Sequence, residues 1–241
     1  MSALPTKRDE AWRYGDLDAL ARAWPLPAPE SIMVPAGGRL TRHIIQDAGA
    51  IHQIEISLGK GAIAAFHVLN IGGEYGRIEL AVTLHEGADF TLGAVQIGGG
   101  SQVLEIITTI THAEPGATSK QTVRSVLAGK ATGTYLGKVA VARDAQKTDS
   151  VQSVKAMLLD RTATVNAKPE LEIYADDVKC AHGCAVGELD AMGLFYLESR
   201  GLPPAEAKKL LLQAFVAGVF EGAEAEAELT AAALKKLGEL V

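Results

Sequence analysis

From Ser31 to Val186 the chain runs for about 150 residues with no stretch of helical period, in short runs rich in Ile, Val, Thr and Leu separated by glycine or polar turns. His52-Gln-Ile-Glu-Ile-Ser-Leu, Arg77-Ile-Glu-Leu-Ala-Val-Thr-Leu, Gln102-Val-Leu-Glu-Ile-Ile-Thr-Thr-Ile and Lys138-Val-Ala-Val-Ala alternate apolar and polar positions. That alternation is the signature of half-buried strands. Gly59, Gly61, Gly72, Gly73, Gly76, Gly87 and Gly98 to Gly100 are read as turns. A sandwich, a barrel and a β-solenoid all satisfy this pattern. The scarcity of aromatics and the abundance of small and β-branched side chains favour stacked coils with ladders of like residues. No fixed sequence period accompanies them.

The flanks differ. Residues 1–30 form an N-terminal arm, helix-like through Glu10 to Leu20 and then broken by Pro25, Pro27 and Pro29. The core is assigned to 31–186 and a helical region to 187–241. In that region Leu189, Met192, Phe195 and Tyr196 form one stripe, ended by Arg200-Gly201. A second helix starts at Pro203-Pro204 with the stripe Leu210, Leu211, Ala214, Phe215, Gly218 and Val219. A third begins near Ala223, with Glu224, Glu226 and Glu228 early and Lys235 and Lys236 late, complementing the helix dipole.

A formal charge of −6 argues against a phosphate-backbone footprint, so nucleic acid is not an expected partner. No apolar run reaches the ~20 residues of a membrane span, and no apolar segment follows the basic residues near Met1. The expected location is cytoplasmic, with the thiols reduced.

Cys180, His182 and Cys184, with both cysteines of the chain among them, bring together side chains that take up iron, zinc or sulfur. In an extended strand they share a face, and the two cysteine Cα atoms lie about 13 Å apart. That exceeds the limit for a disulfide, ~7 Å, and the reach of one shared metal. Either Gly183 folds the strand back or Cys180 and His182 act without Cys184. The bland alternative is a small buried cysteine in a ladder beside a satisfied histidine. His43, His52, His67, His85 and His112 lack ligand spacing and are read as turn or ladder residues. Asp176 and Asp177 are read as alternating across a strand, and so not as a glycosidase pair. No Gly-x-Gly-x-x-Gly, Walker A or nucleophile-elbow sequence is present, so no nucleotide is expected on this chain.

Lys168-Pro-Glu-Leu-Glu-Ile-Tyr-Ala-Asp-Asp-Val-Lys-Cys-Ala-His-Gly, with Val186-Gly-Glu-Leu-Asp and Leu194-Phe-Tyr-Leu-Glu-Ser-Arg-Gly-Leu-Pro, resembles the carboxyl-terminal signature of the SufD family, scaffold subunits of Suf iron-sulfur cluster assembly. Leu4-Pro-Thr-Lys-Arg-Asp-Glu-Ala-Trp-Arg-Tyr resembles the segment before that family's core. The resemblance implies a right-handed parallel β-helix with a C-terminal helical domain. It implies pairing with SufB through the β-helix and with the ATPase SufC through the helices, and a transient iron-sulfur cluster at the SufB interface. His182 falls on the family histidine implicated in cluster formation and Cys180 on the cysteine two positions before it. Both would be transient ligands shared with the partner. Thr162 stands where the SufB pattern carries a sulfur-handling cysteine. Leu189, Phe195, Tyr196, Arg200, Leu211 and Phe215 fall in the SufC-docking region. On this reading the chain is not an enzyme. The resemblance allows a homodimer in isolation and leaves flavin binding by the complex open. Cys184 departs from the family's small or hydroxyl residue, and the segment before the core is short. The rival readings are a thiol redox or metal-binding solenoid using Cys180 and Cys184, and a polysaccharide enzyme, for which grouped carboxylates are missing.

Overall fold

The computed structural model describes residues 4–241. Residues 1–3, which open the arm and the segment read above as having no apolar leader, lie outside the described residues. A single 3-10 turn, Glu10–Trp12, precedes α1, Leu17–Ala23, whose first turn is capped by the Asp16 carboxylate accepting from the Asp18 and Ala19 amides.

The strands follow in pairs: β1 (Glu30–Val34) and β2 (Arg39–Gln46), β3 (Ile51–Leu58) and β4 (Ile63–Asn70), β5 (Tyr75–Leu84) and β6 (Asp89–Gly98). After them come β7 (Val103–His112) and β8 (Thr118–Leu127), β9 (Thr132–Val141) and β10 (Asp149–Leu158), β11 (Thr164–Ile173) and β12 (Lys179–Gly187). Odd-numbered strands form one parallel sheet and even-numbered strands the other, each in coil order. The architecture is a parallel β-solenoid, with one strand of every coil in each sheet.

The missing sequence period has a structural cause. Glu30 opposes Ile54, Ile51 opposes Arg77, Tyr75 opposes Val103, Val103 opposes Thr132 and Thr132 opposes Thr164. The coil therefore lengthens from 24 through 26, 28 and 29 to 32 residues. A search for one repeat length meets a different one at every turn.

Inside, Ile54, Phe66, Leu80, Phe90, Leu92, Ile106 and Val139 build one continuous apolar core. Coils stack closely enough to demand glycine at some turns. A Cβ on Gly72 would lie 1.7 Å from the Asp47 carbonyl carbon. Within β9, a Cβ on Gly137 would lie 2.2 Å from the hydroxyl of Tyr135 on the same strand. Gly76 and Gly98 lie within β5 and β6 and are not turn residues. A Cβ on Gly76 would meet the Asn70 side chain at 2.6 Å. Asp176 and Asp177 do not alternate across a strand. They sit, exposed, in the bend between β11 and β12, where Lys147 pairs with Asp177.

Both outer faces are covered. Over the odd sheet, the Arg77 guanidinium is fully buried between Glu79 at 2.9 Å and Glu105 at 3.0 Å, with the Trp12 ring stacked on it at 3.8 Å. Its Nη1 also donates to the Ala11 carbonyl at 2.8 Å, fastening the arm. Over the even sheet, α3 (Pro204–Val216) and α4 (Glu226–Gly238) set Leu212, Val216, Leu229 and Leu237 against Leu69, Val95, Ile97 and Val126. The second helix ends at Val216, so Gly218 and Val219 lie beyond it. Gly218, at φ +79°, turns the chain, and Val219 is buried in the helix–sheet core. The last helix starts at Glu226, three residues after the position expected from the sequence.

His112 is fully buried and its Nε2 lies 2.9 Å from the Ser119 hydroxyl. Burial pushes its imidazole down from about 6.5 to about 4. The unfolded chain therefore binds the proton more readily, so stability present above about pH 6.5 is lost as pH falls toward 4. Lowering the pH from 7 to 5 is expected to cost about 2 kcal/mol through this group. Urea denaturation of the protein and His112→Gln at both pH values checks it, because the variant should lose that share of the pH dependence.

Candidate functional site

The solenoid has two ends, and they are built differently. At one, β2 carries Arg39 and Arg42 along its unpaired edge, and Arg42 makes a two-pronged ion pair with Glu30 of β1 at 2.6 and 2.8 Å. Charges on an edge discourage further strand pairing. At the other end β12, with the sequence Lys179-Cys-Ala-His-Gly-Cys-Ala-Val-Gly, has no charged residue after Lys179. Among the described residues it pairs with β10 alone. Within the even sheet, the β12 edge is the one that no ion pair blocks against a partner strand.

β12 is unbroken at Gly183, so the strand does not fold back and the cysteine separation of about 13 Å stands. Both thiols are free. Cys180 registers with Ser150, His182 with Gln152 and Cys184 with Val154. These β10 residues are 0%, 1% and 2% exposed and face the interior. Cys180, His182 and Cys184 therefore share the inward face of the last coil. With no coil beyond them, His182 and Cys184 are exposed and Cys180 is half-buried against the core. Across the slot, Val165, Ala167, Pro169, Leu171 and Ile173 of β11 continue the interior positions of β9 and supply an apolar wall.

The backbone adds a second property. The Lys179 amide donates to the Thr148 carbonyl at 2.8 Å, toward β10. By the alternation of a parallel ladder, the N–H and C=O groups of Cys180, His182, Cys184 and Val186 point the other way, along the free edge. The residues that offer ligands on the inner face thus also offer main-chain groups to a neighbour.

Beneath the site the core turns polar. Ser119 and Ser150 hydroxyls lie 2.8 Å apart on successive coils, and Cys180 occupies the next rung. Thr108 and Tyr135 both donate to the Gln121 carbonyl, at 2.9 and 3.0 Å, and Gln152 stands between Gln121 and His182. Sequence reasoning missed these residues, although a signal was present. Ser119-Lys-Gln121, Ser150-Val-Gln152 and Cys180-Ala-His182 are the same rungs of three successive coils, hidden by the unequal coil lengths.

Burial pushes the Cys180 thiol up, and the Asp149 carboxylate adds to the effect. Burial also raises Cys184. Neither sulfur is poised as a thiolate nucleophile in the isolated chain. No three His, Cys, Asp or Glu side chains come together as a metal-holding group among the described residues. A soft sulfur and an imidazole suit iron, but two donors do not complete a site.

The predicted docking residues separate into two layers. α2, Ala191–Ser199, has no buried residue. Phe195 and Tyr196 are 66% and 57% exposed, with Met192 at 73% beside them. Arg200 reaches back to the Tyr196 hydroxyl at 3.2 Å. Leu189 and Phe215 instead pack, half-buried, against the helix–sheet core, and Leu211 is half-buried on α3. No helix among the described residues is long and apolar enough to cross a membrane.

Comparison with known proteins gives a consistent answer. The family model described as "SUF system FeS cluster assembly, SufBD core domain" matches residues 31–215. The iron-sulfur cluster assembly protein SufD of Escherichia coli (strain K12) is 32% identical over 168 residues, 69% of this chain and 40% of that protein. An iron-sulfur cluster assembly SufBD family protein of Synechocystis is 33% identical over 180 residues, 73% of this chain and 40% of its own length. SufD of Bacillus subtilis is 31% identical over 125 residues, 52% of this chain and 29% of that protein. The chain spans at most 40% of the length of these three relatives.

In the isolated chain, iodoacetamide should modify Cys180 at a rate that rises only above the ordinary thiol range of about 8.5. Mild oxidation should give no Cys180–Cys184 bridge by mass spectrometry. A reactivity plateau below neutral pH, or that bridge, would contradict the geometry.

Proposed function

This chain belongs to the SufBD core-domain family of the SUF iron-sulfur cluster assembly system, and from that premise we propose that it is a non-catalytic scaffold subunit of that system. The observation that carries the proposal is the open β12 edge, which has no charged residue after Lys179 and holds Cys180 and His182 on its inner face. A second solenoid of the SufB type completes that end, adding strands to the unpaired edge and the missing ligands to the half-site. Iron and sulfide are the substrates. His182 offers a nitrogen lone pair to iron, and Cys180 loses its raised proton when a metal or a partner's cation arrives. The completed cluster leaves for an acceptor.

Thr162 supports the SufD-like side of the family. Where the SufB pattern has its cysteine, this hydroxyl donates to the Gly129 carbonyl at 2.5 Å and ties the turn after β10 to the turn after β8. The exposed face of α2, Met192, Phe195 and Tyr196, is the platform for an ATPase of the SufC type, with Leu189, Leu211 and Phe215 as its supporting layer and Arg200 at its rim. The chain has no Walker A sequence, so nucleotide hydrolysis is assigned to that partner. The thiol redox reading is disfavoured by the separation of the cysteines and by thiols raised by burial.

Co-expression with SufB-type and SufC-type subunits tests the proposal. His182→Ala should leave the complex assembled and cut cluster formation at least tenfold. Phe195→Asp with Tyr196→Asp should release the ATPase, costing about 2 kcal/mol or more of docking energy, while solenoid pairing persists. A chain that stays a monomer with both partners present would sink the reading.

A further inference from the structure

Gln152 is 1% exposed and lies one rung inside His182, on the same face and in direct register. Its amide nitrogen sits 3.2 Å from the Gly137 carbonyl and 3.4 Å from the Tyr135 hydroxyl, which engages both of its hydrogens. Its carbonyl oxygen has no partner. Buried polar atoms in folded proteins are rarely left this way, and the exceptions call for an explanation. Gln121, one coil further in, carries the complementary orphan, an unpartnered amide nitrogen. A carbonyl oxygen has two lone pairs, so it can take Gln121 from one side and still accept from the other. Among the described residues, the next side chain along this file is His182, which is exposed.

We propose that Gln152 is a positioning residue for His182, an inference that rests on the reading of His182 as an iron or sulfide ligand. With its hydrogens spent, Gln152 can only accept. The imidazole must therefore present its N–H to the interior and its bare nitrogen to the open end. The Gln152 carbonyl selects one tautomer and aims the lone pair at the place where a partner delivers iron. This is the arrangement by which outer residues orient metal-binding histidines elsewhere, and its loss typically lowers metal affinity 10- to 100-fold. No bond is made or broken in the step. A proton is held at one ring nitrogen so that the other stays available.

The test uses the full chain with ¹⁵N-labelled histidine at alkaline pH, read by long-range proton–nitrogen correlation, and Zn²⁺ as a diamagnetic probe of the site. His182 should show one tautomer in the unaltered chain. In Gln152→Met it should relax toward the mixture of free imidazole, and Zn²⁺ should bind at least tenfold more weakly. Gln152→Glu, which keeps an acceptor at that place, should restore the single tautomer. A tautomer mixture in the unaltered chain overturns the proposal without any variant, so a variant that fails to fold does not shelter it. An unchanged tautomer in folded Gln152→Met also overturns it. His182→Ala separates the two claims. If it abolishes Zn²⁺ binding while Gln152→Met changes neither tautomer nor affinity, the ligand reading stands and the positioning role fails. If the tautomer follows Gln152 while Zn²⁺ ignores His182→Ala, the hydrogen bond is supported and the ligand reading fails.

Discussion

Each coil of this chain is held by the coil before it through a parallel ladder of backbone hydrogen bonds, and a parallel strand satisfies its two edges only if another coil follows. The ladder runs from β2 to β12 in one sheet and from β1 to β11 in the other, and it stops there among the described residues. Everything distinctive about the molecule follows from how it stops. The early end is closed to further strands by arginine and glutamate. The late end presents a strand with no charged residue after Lys179 and with a thiol and an imidazole on its inner face.

Covering the two outer faces leaves that end as the place for a partner. Trp12, Arg77 and Glu105 pin the arm over one sheet, and Leu212, Leu229 and Leu237 press the helices onto the other. The interior changes character along its axis, from Phe66 and Phe90 in the early coils to Gln121, Ser150 and Gln152 in the late ones. An apolar interior is cheap to bury, whereas a polar one has to be partnered. The polar rungs accumulate where they reach the half-buried Cys180 and the exposed His182, which ties that departure from a plain core to the site.

Much of this was legible in the residues. The alternation around Ile54, Leu80 and Ile106 marks strands because a strand side chain changes face at every residue, and the structure places all three in the core. The strand through Cys180 and His182, and the common face of the two, followed from the same arithmetic. Coil stacking was less legible, because register is set by turns whose length changes from one coil to the next. That hid the relation of Ser119, Ser150 and Cys180 and the supporting role of Gln152. Gly76 and Gly98 were read as turns because glycine usually marks them. In this fold they are strand positions where neighbouring side chains press on the backbone. Leu189 and Phe215 were read as stripe residues of a docking region, and their side chains pack, half-buried, against the helix–sheet core.

The central claim is that β12 is an edge waiting for a strand. Residue-resolved hydrogen exchange of the isolated chain, and of the chain with a SufB-type solenoid partner, measures it directly. The amides of Cys180, His182, Cys184 and Val186 should exchange freely alone and become protected in the complex, while Ala181 and Ala185, bonded toward β10, are protected in both. Exchange at these four amides that is already slow in the isolated chain, or that the partner leaves unchanged, would contradict the account.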